Sequence, residues 1–322
     1  MNEDQIKIIS STLGAERILF DEQLKSHTYF HQETKSRMYF DALNSSDLEL
    51  AVSTCIKNKI PFIVLGLGAN TFLPENSEYF LIKNLSHNII LKGFRTSIIE
   101  KKTVPEVLIQ VDSGASLTML ARYCIHEKID GLGFLLSIPG SVGAGIRNNI
   151  SLMPTVKNII GNYLSLAEII DAKTGEKKLV DNSYFEFDYD RSKLQVTRDI
   201  VIKAVFKLPK TSPNNPWSTG SNDGVINHSL TGPIFKNISH RDAVRLSTKH
   251  FTLSPSYLIR QIDIAGYKIG GVTISSEDPN TFILDNDFKT EDIARMMRYI
   301  KRNIKNKFKL TLESRVDIIN KI

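Results

Sequence analysis

An uninterrupted apolar run, Pro61-Phe62-Ile63-Val64-Leu65, leads directly into Gly66-Leu67-Gly68-Ala69-Asn70-Thr71. A second glycine-rich segment, Ile138-Pro139-Gly140-Ser141-Val142-Gly143-Ala144-Gly145, also follows apolar sequence. The first run reads as a short buried strand, and both segments as tight turns. Such turns let the backbone approach a ligand closely, and their N–H groups receive anionic oxygens. Neither segment is GxGxxG at a strand–helix junction or GxxxxGK[ST]. On the residues alone, each is equally well read as a tight turn with no ligand.

The flanking pattern is mixed. Asp47 is placed to cap a helix carrying Leu48, Leu50, Val52 and Ile56. Val107–Val111 reads as a strand, and 117–126 as a helix ended by the Gly131–Gly133 turn. Ala167–Asp171 and Ile200–Leu208 read as strands. Residues 212–224, SPNNPWSTGSNDG, have linker composition and contain the single Trp217. Beyond them, Ser254-Pro255 opens a short helix ended by Gly266, 269–274 reads as a turn and strand, and 281–284 as another strand. Thr290-Glu291-Asp292 starts a long helix with acids at its positive end, and 310–312 reads as a last strand.

The net charge of +6 has a local source. Arg295, Arg298, Lys301, Arg302, Lys305, Lys307 and Lys309 alternate at helical spacing with Ile293, Met296, Met297, Ile300 and Ile304. That pattern is the solvated face of an amphipathic helix, and nucleic-acid binding is not expected from it. Cys55 and Cys124 sit in helix-like apolar patterns and read as buried apolar residues. His27, His31, His87, His126, His228, His240 and His250 lack ligand spacing, so no metal site is expected. No apolar run approaches a membrane span, and MNEDQIKIIS does not read as a signal peptide, so the expected location is the cytoplasm.

Taken in order, VLGLGANTFL, IPGSVGAGIRNNI, TGPIFKN, YKIGGVTI and LTLESRVDII resemble the UDP-N-acetylenolpyruvoylglucosamine reductase (MurB) family. The corresponding family patterns are LGxGSN, GIPGxVGxxxxxN, GS(F/V)FKNP and LEPEVRxIG. The resemblance spans about residues 35 to 318. It implies an α+β fold: a two-subdomain FAD-binding unit of the PCMH/VAO-like kind, plus a C-terminal α/β substrate-type domain. The implied boundaries are 1–96 and 97–211 for the two subdomains, 212–224 for the linker, 225–309 for the substrate-type domain and 310–322 for the terminal strand segment.

The resemblance implies that Gly66, Gly68, Ala69, Asn70, Thr71, Pro139, Gly140, Ser141, Gly143 and Asn149 hold FAD. It implies NADPH as reductant, and Lys236 and Asn237 beside a nucleotide-sugar substrate. Ala69 replaces the family's serine, Gln32-Glu33-Thr34 stands where the family has Ile-Gly-Gly, and ISLMP follows Asn149 in place of Ala-Gly-Ala-Tyr-Gly.

In the family a serine protonates the enol formed by hydride transfer, and an arginine and a glutamate stabilise it. Here Pro233, Asp190 and Arg315 occupy those positions. Because Tyr189 and Ser192 keep their spacing, Arg191 is expected to point elsewhere on an extended strand, and where the sites meet as in the family Asp190 and Arg315 form an ion pair; the alternative is a one-residue misalignment that restores Arg191. These replacements imply impaired or altered activity and leave open whether the chain is an enzyme. The rival reading is a non-catalytic MurB-like binding or regulatory module.

Overall fold

The computed structural model describes residues 1–99, 102–152, 158–210 and 228–319. The linker expected at 212–224, Trp217, and Met153-Pro154 of the segment after Asn149 lie outside them. In chain order the elements are α1 (Glu3–Leu13), β1 (Ile18–Gln23), β2 (Lys35–Ala42), α2 (Ser45–Lys57), β3 (Phe62–Leu65), β4 (Thr71–Phe72), β5 (Asn76–Asn84), β6 (Ile89–Ile99), β7 (Lys102–Asp112), α3 (Leu117–His126) and α4 (Val142–Arg147). Next come β8 (Leu164–Ile170), β9 (Lys177–Asp181), α5 (Leu194–Thr197), β10 (Ile200–Pro209), α6 (His240–Arg245), α7 (Pro255–Arg260), β11 (Lys268–Ile269), β12 (Val272–Ile274), β13 (Phe282–Leu284), α8 (Thr290–Phe308) and β14 (Asp317–Ile318). The architecture is α+β, as expected.

The chain divides into two compact units. The first comprises Met1–Asp21, Arg37–Leu67 and Tyr79–Val225; the second comprises Glu22–Ser36, Gly68–Glu78 and Ile226–Ile322. A four-stranded sheet has the order β1-β2-β5-β3, with β3 and β5 parallel. Within the first unit, a five-stranded sheet of order β6-β7-β10-β8-β9 is antiparallel throughout. Its buried face packs Val107, Ile109 and Phe206 against Leu120 and Cys124 of α3 and against Phe134. A second core joins Ile9, Phe40, Val52, Cys55, Phe80 and Ile82. Each apolar side chain so buried contributes about 1.5–3 kcal/mol. Both cysteines are fully buried, as expected, and burial pushes both thiols up to about 12, which removes their nucleophilic form.

The second unit carries the three-stranded antiparallel sheet β11-β12-β13 and the two-stranded parallel pair β14-β4. Helix α8 buries Ile293, Met296, Met297, Ile300 and Ile304 and leaves Arg295, Arg298 and Arg302 exposed, as its periodicity predicts. Glu291 and Asp292 occupy its first turn, where Glu291 pairs with Arg298 and Asp292 with Arg295.

Several local expectations are corrected. The cap of α2 is Asn44, whose side chain accepts from the Asp47 amide; Asp47 instead accepts from Leu43 N and pairs with Arg17 at 2.6 Å. Helix α3 ends at Glu127 and a left-handed Lys128, before any glycine is reached. Helix α7 likewise ends at Gln261, ahead of Gly266. Residues 310–312 form no strand. The chain pairs later, at Ser314 and in β14, because Thr71 and Phe72 offer it a parallel partner there.

Candidate functional site

In the first unit, the start of the first glycine turn meets the second glycine segment. A Cβ built on Gly66 would lie 2.3 Å from Ser141 Oγ, so no other residue fits opposite that serine. Ser141 is buried and caps α4, its Oγ accepting from Ala144 N. The segment is tied down by its own backbone. Leu117 N donates to Gly140 O, Val142 N to Ala115 O, Gly143 N to Ser113 O and Gly145 N to Ser141 O. The amides of residues 142–145 are therefore engaged within the protein, and Gly143 serves as a close-packing point, where an added Cβ would lie 3.1 Å from Ser113 Cβ. Gly140 differs: its φ is +155°, and within 4 Å a Cβ there would meet only Leu117 Cδ1. Pro139 and Ala144 are exposed on either side. The backbone is less crowded at Gly140 than at Gly143 or Gly145.

The brace beneath both segments is the end of β5. Lys83 Nζ donates to Gly66 O at 2.7 Å, and Asn84 Nδ2 donates to Ser113 Oγ at 2.9 Å. Asn84 Oδ1 accepts from the Ser86 hydroxyl, and Gly114 leaves room for that amide. Lys83 is buried, and burial pushes its amine down to about 8 against the opposing pull of Asp41. Neither residue was found from the sequence. The available signal was a lysine and an asparagine closing an otherwise apolar strand, Tyr79-Phe80-Leu81-Ile82.

Asn149 is left-handed (φ 44°) and nearly buried, and its side chain is fully used. Its Nδ2 donates to Asp188 O and its Oδ1 accepts from Gly161 N. Asp188 and Arg191 exchange backbone hydrogen bonds, so Tyr189 and Asp190 form the tip of a tight turn. This corrects the extended strand expected there. Asp190 takes the left-handed conformation and is buried, whereas Arg191 is exposed. Ser192 is fully buried and donates to Arg147 O at 2.7 Å, so its hydroxyl is committed to the fold.

In the second unit the other motifs come together. Gly68 (φ 68°) and Ala69 lead into Asn70, whose Nδ2 donates to Arg315 O at 2.7 Å. Thr71 pairs with Asp317 in the β4–β14 ladder. The segment Gly232-Pro233-Ile234-Phe235-Lys236-Asn237 runs antiparallel to Glu313-Ser314-Arg315: Arg315 N donates to Ile234 O, and Lys236 N to Glu313 O. Lys236 also pairs with Glu313 at 4.0 Å, and Lys301 Nζ donates to Ser314 Oγ at 2.7 Å. Burial lowers the Lys301 amine below its ordinary value. Pro233 is exposed and contributes no side-chain donor. Asp190 belongs to the first unit and Arg315 to the second.

Gln32 and Thr34, from the stretch that stands where the family has Ile-Gly-Gly, form a clip in the second unit. Gln32 Nε2 donates to Leu73 O and its Oε1 accepts from Leu73 N, while Thr34 Oγ1 donates to Pro74 O. Elsewhere in that unit, the His31 and His228 rings lie 4.4 Å apart, tilted by 59°, beside a cavity of about 100 Å³ that Lys25, Phe30 and Asp285 also line.

The sequence model described as "UDP-N-acetylenolpyruvoylglucosamine reductase, C-terminal domain" matches residues 225–319. The UDP-N-acetylenolpyruvoylglucosamine reductase of Pseudothermotoga lettingae is 25% identical over 94% of this chain and 97% of its own length. That of Oceanobacillus iheyensis is 24% identical over 98% and 95%. The crystal structure of the Thermus caldophilus enzyme superimposes with a TM-score of 0.68 at 20% identity, covering 94% of this chain and 98% of that one. The family resemblance read from the sequence is borne out. Among the described residues, no helix is long and apolar enough to cross a membrane.

Proposed function

We propose that this MurB-family chain is an FAD-dependent reductase of the UDP-N-acetylenolpyruvoylglucosamine kind, serving peptidoglycan precursor synthesis with NADPH as reductant, and that its proton-delivery arrangement is altered. The observation carrying this reading is the convergence of Gly66 on Ser141 beside the less crowded backbone at Gly140. A dinucleotide fits such a place, because its diphosphate needs close backbone approach and no intervening Cβ. Gly66, Pro139, Gly140 and Ser141 would line it from the first unit; Gly68, Ala69, Asn70 and Thr71 belong to the second. Asn149 and Gly143 act through packing and turn geometry. When bound, FAD supplies hydride transfer between the nicotinamide and the substrate's double bond.

On this reading Lys236 and Asn237 face the sugar nucleotide, and the chain's own contribution to protonation is weakened. Pro233 offers no hydroxyl, the Ser192 hydroxyl is held by Arg147 O, and Asp190 carries the wrong sign for stabilising an enolate. The same replacements support the second reading, a non-catalytic module that keeps the fold. The test is a visible spectrum of the purified protein, then NADPH bleaching and turnover of UDP-N-acetylglucosamine enolpyruvate. Flavin bands bleached by NADPH, with slow turnover, support the proposal. A colourless protein that takes up no FAD overturns it, and turnover equal to an active relative overturns the altered-protonation part.

A further inference from the structure

We propose that Lys83 is a buried countercharge for the anionic diphosphate of the bound dinucleotide, held in place through the carbonyl of Gly66. This inference rests on the FAD reading above. Lys83 is 7% exposed on the last turn-ward residues of β5, in a position where an aliphatic residue would complete the strand's apolar run. Burying an ammonium group is costly unless it is matched by opposite charge. The charged neighbour that offsets part of this cost is Asp41 of β2, whose Oδ1 also accepts from Tyr39 OH. Burial outweighs that pull and lowers the amine to about 8. A charge retained at such expense has a second use when it lies under a place built for an anion.

The geometry supplies that place. The Lys83 amine bonds the carbonyl of Gly66, the residue that abuts Ser141. The ammonium charge therefore sits one hydrogen bond, 2.7 Å, from the Gly66 peptide, close enough for its field to act on an anion bound at this turn. Asn84, next in sequence, braces Ser113 beneath Gly143, so neighbouring residues of one strand support both glycine segments. A purely structural brace needs only a neutral donor. A countercharge needs the charge itself, and the two roles predict opposite effects on the empty protein.

The experiment uses the full chain, stripped of flavin, with Lys83→Met and Lys83→Gln beside the unaltered protein. FAD affinity is read by fluorescence quenching, and stability of the flavin-free protein by urea unfolding. The expected result is an FAD affinity about 10- to 100-fold weaker in both variants, from the loss of one nearby positive charge, with flavin-free stability unchanged or raised in Lys83→Met. Unchanged FAD affinity in a folded variant overturns the proposal. So does a drop in flavin-free stability, or failure of both variants to fold, since either makes Lys83 a structural brace. If the unaltered protein itself takes up no FAD, the cofactor reading fails first and this inference falls with it.

Discussion

Gly66 and Ser141, 75 positions apart in sequence, are packed so that a single added Cβ on the glycine would overlap the serine hydroxyl at 2.3 Å. That contact turns two separate glycine-rich segments into one surface. It also makes Gly66 a residue required by protein packing, whatever binds there.

Gly66→Ala is therefore expected to destabilise the chain even without a ligand, by about 1–3 kcal/mol as in other overpacked sites. Ser141 cannot yield cheaply, because its Oγ caps α4. Ser141→Gly removes the overlap and costs only about 0.3 kcal/mol of capping, since glycine is itself a tolerated cap. The double variant should then be more stable than Gly66→Ala alone. Urea unfolding of all four proteins checks this, and strict additivity would contradict the packing shown by the two side chains.

Asn149 supports a second prediction. Its left-handed backbone and two side-chain hydrogen bonds do different jobs. Asn149→Gly keeps the first and loses the second; Asn149→Ala loses both. With Gly161 N and Asp188 O left unsatisfied, the glycine variant should lose about 2–3 kcal/mol and the alanine variant up to about 1 kcal/mol more. Denaturant midpoints at constant m-value are the measurement. If the two variants are equally stable, the left-handed conformation carries no weight at this position.

How much of this was legible in the sequence varies with the physics involved. The amphipathic helix α8, the strand into Gly66 and the burial of Cys55 and Cys124 follow from local periodicity, and the structure agrees. Asn44 was passed over for Asp47 because both are good caps, and tertiary pairing with Arg17 decided between them. The Tyr189–Asp190 turn was missed because nothing in Asp188-Tyr189-Asp190-Arg191 demands a positive φ; Asn149 and Gln195, binding Asp188 O and Asp190 O, hold it. Lys83 and Asn84 escaped for a related reason. Their partners, Gly66 and Ser113, are 17 and 29 residues away, and only the fold brings them together.

The Lys83 amine predicts a pH dependence. Its folded value is lowered to about 8 from an ordinary 10.5. Between those values the unfolded chain holds a proton that the native protein has lost, so stability rises with pH across that window. At and below about pH 7 the full penalty is present, about 3 kcal/mol as an upper bound. Flavin-free protein should thus gain on Lys83→Met when urea unfolding is repeated at pH 7 and pH 9.5. A constant difference between the two proteins would place the lysine's titration outside this range.

Pro233 offers the most direct test of altered protonation. Its neighbours are anchored independently: Ile234 N donates to Asn280 O, Phe235 N to Asn280 Oδ1, and Asn280 Nδ2 returns to Phe235 O. Arg315 N also donates to Ile234 O, and a Cβ on the adjacent Gly232 would meet nothing within 4 Å. Pro233→Ser should therefore fold with a stability change of only about 0.5 kcal/mol while adding a hydroxyl and an N–H. The other restorations are not equivalent to it. Asp190→Arg would put a long cation at a buried, left-handed turn position, and Arg315→Glu would alter a residue whose backbone ties Asn70 to Ile234. If the missing donor limits the reaction, Pro233→Ser raises kcat with UDP-N-acetylglucosamine enolpyruvate at least about 10-fold, part of the 10²–10⁴ that a placed acid contributes. KM and FAD content should stay constant, since neither depends on proton delivery. NADPH oxidation followed at saturating substrate measures the change. An unchanged kcat in a flavin-loaded Pro233→Ser protein would mean that protonation at this position does not set the rate.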